Sequence, residues 1–182
     1  DSLQCLLGEP ATVAPRRRWP LAVAAVTLAA CLTLLACLLL LPVSKSKPFV
    51  ATLVRADSCK WAGSDLPTKV NSRLTAGTLV LVEGIATLHF ESGATVTMEA
   101  PTTLEVSDPL HCRLIEGTLT ADVPDSAHGF AIQTPDIRVI DLGTRFGVTA
   151  GSMGNSQVRV FEGEVEIDGL KNGATKRLTE GN

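Results

Sequence analysis

The chain has 182 residues, 45% of them apolar, with 16 basic and 19 acidic side chains and a formal net charge of −3. From Phe49 onward it carries 11 basic and 17 acidic residues; with no basic stripe, a nucleic-acid partner is not expected. There is no Tyr and only two Trp, which argues against a surface that stacks on bases or sugars.

In chain order, the first predicted element is the run Leu21 to Val43, 23 residues without a charge. As a helix it reaches about 34 Å, enough to cross a hydrocarbon core of about 30 Å. Pro20 suits the first turn of such a helix and Pro42 its end. The run is longer than the apolar region of a signal peptide and ends in four Leu and a Pro where cleavage needs small residues. A membrane-spanning helix over residues 19–43 is therefore expected. Arg16, Arg17 and Arg18 precede it, and Lys45 and Lys47 follow it. Three adjacent Arg set the N-terminus in the cytoplasm, which leaves the later residues in the periplasm or outside. Residues 44–49 read as a short linker.

Past the linker the pattern has period two. Ala86, Leu88 and Phe90 alternate with Ile85, Thr87 and His89. The same alternation marks Ala94, Val96 and Met98, then Leu119, Ala121 and Val123, then Val158 and Val160, then Val165 and Ile167. Short alternating runs punctuated by Gly, Pro, Asp and Asn predict strands and turns, so residues 50–170 form an all-β domain. A weak repeat of strand, Gly, strand recurs in LTAGTLVL, LIEGTLTADV, VFEGEVEI and LTEGN. Each Gly is expected at a tight turn with positive φ. A β-roll, a short solenoid and a sandwich all fit this pattern. Residues 171–182 read as a C-terminal extension.

No catalytic set emerges, so an enzyme is not expected, and neither is a cofactor. His89, His111 and His128 lack ligand spacing, and His111 beside Cys112 points to the opposite face of a strand. Glu162, Glu164 and Glu166 share one face of a single predicted strand; a solvated acidic face is the expectation, with a calcium site as the rival. Ser152 sits among hairpin-turn residues. Cys31 and Cys37 fall in the apolar run, and Cys5 before it. Cys59 and Cys112 lie beyond it, where an oxidising compartment would permit a bond between them; two separate thiols are the plainer reading.

The segment TPDIRVIDLGTRFGV, residues 134–148, breaks at Asp141-Leu142-Gly143-Thr144 between a strand over Ile137 to Leu142 and a resumed strand at Phe146 and Val148. Asp141 is expected to cap the turn and Gly143 to take positive φ. The rival reading makes Asp141, Leu142, Gly143, Thr144 and Phe146, with Glu162 and Gly163, part of a partner surface.

This stretch, followed by QVRVFEGEVEI (157–167) and preceded by LTAGTLVLVEGIATLHFESGATVTMEAPTTLEV (74–106), resembles the FecR family of membrane-bound regulators. The shared pattern is a T-P, an L-G-T-x-F-x-V and a V-x-V-x-E-G-x-V-x-V. The trio Cys59-Lys60-Trp61 and ESGATVTMEAP (91–101) look most like planctomycete-type members. The resemblance covers residues 50 to 170. It implies a single-pass regulator in the inner membrane, whose periplasmic β domain receives a signal and relays it to a cytoplasmic extracytoplasmic-function sigma factor. It also implies an outer-membrane transducer or another periplasmic protein as partner. Residues 1–18 are too few for that family's helical sigma-binding region, and DSLQCLL is expected to be the stub of its last helix. A membrane-tethered envelope scaffold or an adhesive, glycan-binding module is the alternative.

Overall fold

The period-two runs are strands, and their apolar members form one core. In the computed structural model, which describes residues 48–170 and 173–181, the strands are β1 (Ala51–Trp61), β2 (Arg73–Leu74), β3 (Gly77–Phe90), β4 (Thr95–Asp108), β5 (His111–Asp122), β6 (Ala131–Gln133), β7 (Ile137–Asp141), β8 (Arg145–Ala150), β9 (Ser156–Glu162), β10 (Glu164–Gly169) and β11 (Thr175–Thr179). A single 3-10 turn at Asp125–Ala127 is the only helical piece among the described residues. No helix among them is long and apolar enough to cross a membrane. The apolar run Leu21 to Val43, Arg16, Arg17 and Arg18 lie outside the described residues.

All the strands belong to one open sheet, ordered β11-β10-β7-β6-β5-β4-β3-β1-β2, with β8 and β9 branching from β5. The fork arises because β5 has two partners along its length. Its first residues, His111 to Arg113, pair in parallel with Ala131 to Gln133 of β6. Its last, Gly117 to Asp122, pair antiparallel with β8. The stretch 171–182, set apart as an extension on sequence, supplies β11, which pairs with β10 from Thr175 to Thr179.

The three long strands crease at the same level. Register breaks fall between Leu81 and Ile85 on β3 and between Glu99 and Thr103 on β4. On β5 the bulge is at Gly117, with φ +114, where an added Cβ would collide with Thr102 and with the Pro101 carbonyl at 2.5 Å. The extra residues invert the pleat. On β3 the buried set passes from Leu79 and Leu81 to Ala86, Leu88 and Phe90; on β5 it passes from Cys112 and Leu114 to Leu119 and Ala121. A one-residue shift would otherwise turn the apolar set to solvent. Here it keeps that set inward as the sheet folds over, as strands do when they turn a corner through bulges.

Both limbs feed the same core. Leu104, Leu114, Ile132, Val139 and Val165 come from one side of the crease, and Met98, Leu119, Phe146, Val148 and Val160 from the other; all are buried in one cluster. Phe90 and Phe130 meet edge to face at 4.9 Å. The crease is held by Thr102, only 2% exposed. Its hydroxyl accepts the Thr118 N–H at 3.2 Å and donates to the Glu99 carbonyl.

The repeat of strand and Gly is thus heterogeneous. Gly163 and Gly181 stand at turns with φ +85. Gly117 lies within a strand rather than at a tight turn. Gly77 opens β3 without positive φ, and what it needs is room: a Cβ there would be 2.8 Å from Leu66.

Candidate functional site

The segment 134–148 and the segment 157–167 meet at one corner. Asp141 ends β7 with its side chain fully buried. Its Oδ2 accepts the Gly143 N–H at 2.8 Å, and its Oδ1 accepts the Thr144 hydroxyl. Gly143 has φ +98, which carries the chain from β7 into β8. Burial pushes the Asp141 carboxyl above the ordinary carboxylate range, while the bonds from Thr144 and Gly143 act the other way.

Gly163 closes the corner from the second segment. A Cβ on it would stand 2.6 Å from both the Gly143 carbonyl oxygen and the Thr144 methyl. The Leu142 N–H donates to the Glu164 carbonyl at 3.2 Å. The L-G-T and E-G pieces, 20 residues apart in sequence, are therefore one packed unit. Phe146 points into the core and is fully buried, as is Thr144 at 4% exposure; these two and Asp141 hold the corner from inside. Glu162 and Gly163 are exposed, and Leu142 and Gly143 are half-buried. The outer side opens on a cleft of about 250 Å³ lined by Asp122, Asp125, Gly143, Thr144, Arg145 and Glu162.

A second polar cluster anchors the start of the same segment, and sequence reasoning did not single it out. The Thr134 hydroxyl accepts the Ile137 N–H at 3.1 Å and donates to Asp136 at 2.9 Å. Asp136 Oδ2 accepts the Ser156 N–H at 3.0 Å, and the Ser156 hydroxyl reaches Thr134 at 2.8 Å. This ties the β6–β7 turn to the start of β9. The signal available was T-P-D, a turn-forming triplet whose side chains bond nearby backbone. Desolvation raises the Asp136 pKa, but the bonds from Ser156 and Thr134 outweigh it and hold the carboxyl below its ordinary range.

One expectation is overturned here, and the plainer readings of the cysteines, His111 and Ser152 hold. Glu162, Glu164 and Glu166 do not share a strand: Glu162 ends β9, and Gly163 separates it from Glu164 and Glu166 on β10. Arg177 of β11 pairs with Glu164 at 3.6 Å and Glu166 at 3.2 Å. No group of three metal-ligating side chains occurs among the described residues. Cys59 and Cys112 are separate free thiols. Lys60 pairs at the level of Glu83 on β3, whereas Cys112 pairs with Val106 opposite Gly77. Six residues along a strand is about 20 Å, far beyond the reach of a disulfide. Cys59 instead donates to the Ile85 carbonyl at 3.1 Å, and burial pushes the Cys112 thiol pKa up. His111 is exposed and paired with Asp108 at 2.8 Å. Ser152 lies in the turn between β8 and β9, which closes through Gly151 and Asn155 at 2.9 Å.

Residues 75–166, half of the chain, match the family model described as FecR protein. No curated protein matches the chain. Two solved structures of a candidate anti-sigma factor from Parabacteroides distasonis are similar to it. One, at 1.65 Å resolution, is 22% identical with a TM-score of 0.49, covering 57% of this chain and 51% of that one. The other, at 2.50 Å, is 20% identical with a TM-score of 0.45, covering 73% and 52%. The chain spans about half the length of these solved structures.

Proposed function

The chain belongs to the FecR protein family, and from that premise we propose that it is a single-pass membrane regulator of a sigma factor and not an enzyme. Its β domain faces the periplasm, receives a signal from a protein partner there, and biases a cytoplasmic extracytoplasmic-function sigma factor through the helix over residues 19–43. The observation that carries this reading is the corner where Gly163 packs on Gly143 and Thr144. It joins the two segments on which the family resemblance rests, and it lies within the matched residues. The cleft beside it, with Asp122, Asp125 and Glu162 around Arg145, is the surface offered to the periplasmic partner. The partner acts by binding one of two states of the domain better than the other, since equal affinity would shift nothing.

The test is affinity capture of the protein from native membranes, tagged at its C-terminal end, with mass spectrometry of what co-purifies. Recovery of a sigma factor, lost when the residues before Arg16 are removed, establishes the regulator. Recovery of envelope proteins alone, under mild crosslinking, shifts the reading to a tethered scaffold.

A further inference from the structure

The outer face of the other limb carries a row of side chains in cross-strand register: Glu105, Arg113, Gln133, Arg138 and Asp168. Each Arg has an acidic neighbour on the adjacent strand, the usual arrangement on a solvated sheet face. Neither pair forms. Among the described residues the Arg113 and Arg138 side chains make no ion pair or hydrogen bond, although the domain is acidic overall. Asp168 accepts the Thr175 hydroxyl at 2.7 Å instead. Arg113, Gln133 and Arg138, with Glu105 and Ser107 at one side, line a cleft of about 260 Å³ that Asp168 does not reach.

We propose that this cleft is an oxyanion site that takes a phosphoryl group, with Arg113 and Arg138 as its two cationic arms and Gln133 as the neutral donor between them. Arg113 and Arg138 lie two strands apart, about 10 Å between backbones, so their long side chains converge on one group from two sides. Two guanidinium forks and an amide offer more N–H donors than the two oxygens of a carboxylate accept. The three terminal oxygens of a phosphoryl group match them better. The unpaired like charges repel until an anion lies between them. Glu105 sets the selectivity: beside Arg113 it disfavours a bare, highly charged anion and accepts a hydroxyl, which a protonated phosphate or a phosphorylated sugar brings. The inference is independent of the sigma-factor reading, since it concerns a different face of the domain.

The test is calorimetric titration of the full chain with inorganic phosphate and, separately, with a hexose 6-phosphate. Saturable binding is expected. It should weaken about tenfold or more in Arg113→Gln and in Arg138→Gln, both exposed positions whose change leaves the core intact. Glu105→Gln should tighten the binding of inorganic phosphate. Tighter binding of the hexose phosphate than of the ion points to a phosphoryl group carried on a larger molecule, and equal binding points to the free ion. No saturable binding of either compound overturns the proposal, as does wild-type affinity in both Arg variants with unchanged circular dichroism.

Discussion

At the residue scale, two glycines 20 positions apart differ in what they require. Gly143 and Gly163 both have positive φ, but a Cβ on Gly143 meets only Asp125 at 3.7 Å, whereas one on Gly163 meets backbone and a methyl at 2.6 Å. Gly143→Ala should therefore cost only the conformational term, about 1–2 kcal/mol. Gly163→Ala adds a steric clash that must separate β9–β10 from the β7–β8 corner, and should cost about 2–4 kcal/mol. Urea denaturation of the two variants measures the difference; equal losses would mean that the packing of Gly163 on Thr144 contributes nothing. Asp141 was legible in the sequence as a turn cap, because Asp followed two residues later by Gly is a turn signature. That its carboxyl, Thr144 and Phe146 are buried was not legible, because the corner is covered by a segment distant in sequence.

At the element scale, the crease is the feature that converts alternating strands into a folded-over sheet. Thr102 bonds to β5 across it, through Thr118. Thr102→Val preserves shape but leaves the Thr118 N–H without its partner, so a loss of about 1–3 kcal/mol is expected in chemical denaturation. A loss confined to Thr102→Val, with Thr103→Val at the neighbouring half-buried position near wild type, would assign the effect to the hydrogen bond. The strand runs were readable from period two; Ala86, Leu88 and Phe90 are all fully buried. The bulges were not readable, since one extra residue in a long strand changes the parity of the pattern without leaving a turn residue at every strand. Pro101 and Gly117 were the traces, and each taken alone reads as an ordinary breaker.

At the scale of the whole molecule, two carboxylates of the segment 134–141 give stability opposite dependences on pH. Asp136 has a lowered pKa in the folded state, so its contribution is present above the ordinary carboxylate value and is lost as pH falls below it. Asp141 has a raised pKa, so its contribution is fully present below the ordinary value and is lost as pH rises through the folded one. Asp136→Asn should thus flatten the acid limb of a melting-temperature profile. Asp141→Asn should flatten the weakly acidic limb above pH about 4. Parallel profiles for wild type and both variants would show that neither carboxylate is coupled to folding.

Sequence alone determined what local chemistry decides. Alternation of apolar residues dictates strands, and short motifs carry the family resemblance. These depend on neighbours within a few positions, where the pleat and the hydrophobic effect act directly. Only the tertiary structure decided the fork at β5, the inclusion of β11, the separation of Cys59 from Cys112, and the contact of Gly163 with Thr144. Each is a matter of register between strands distant in the chain. Many registers satisfy the same alternation, and the one adopted is selected by the joint packing of both limbs on a single core.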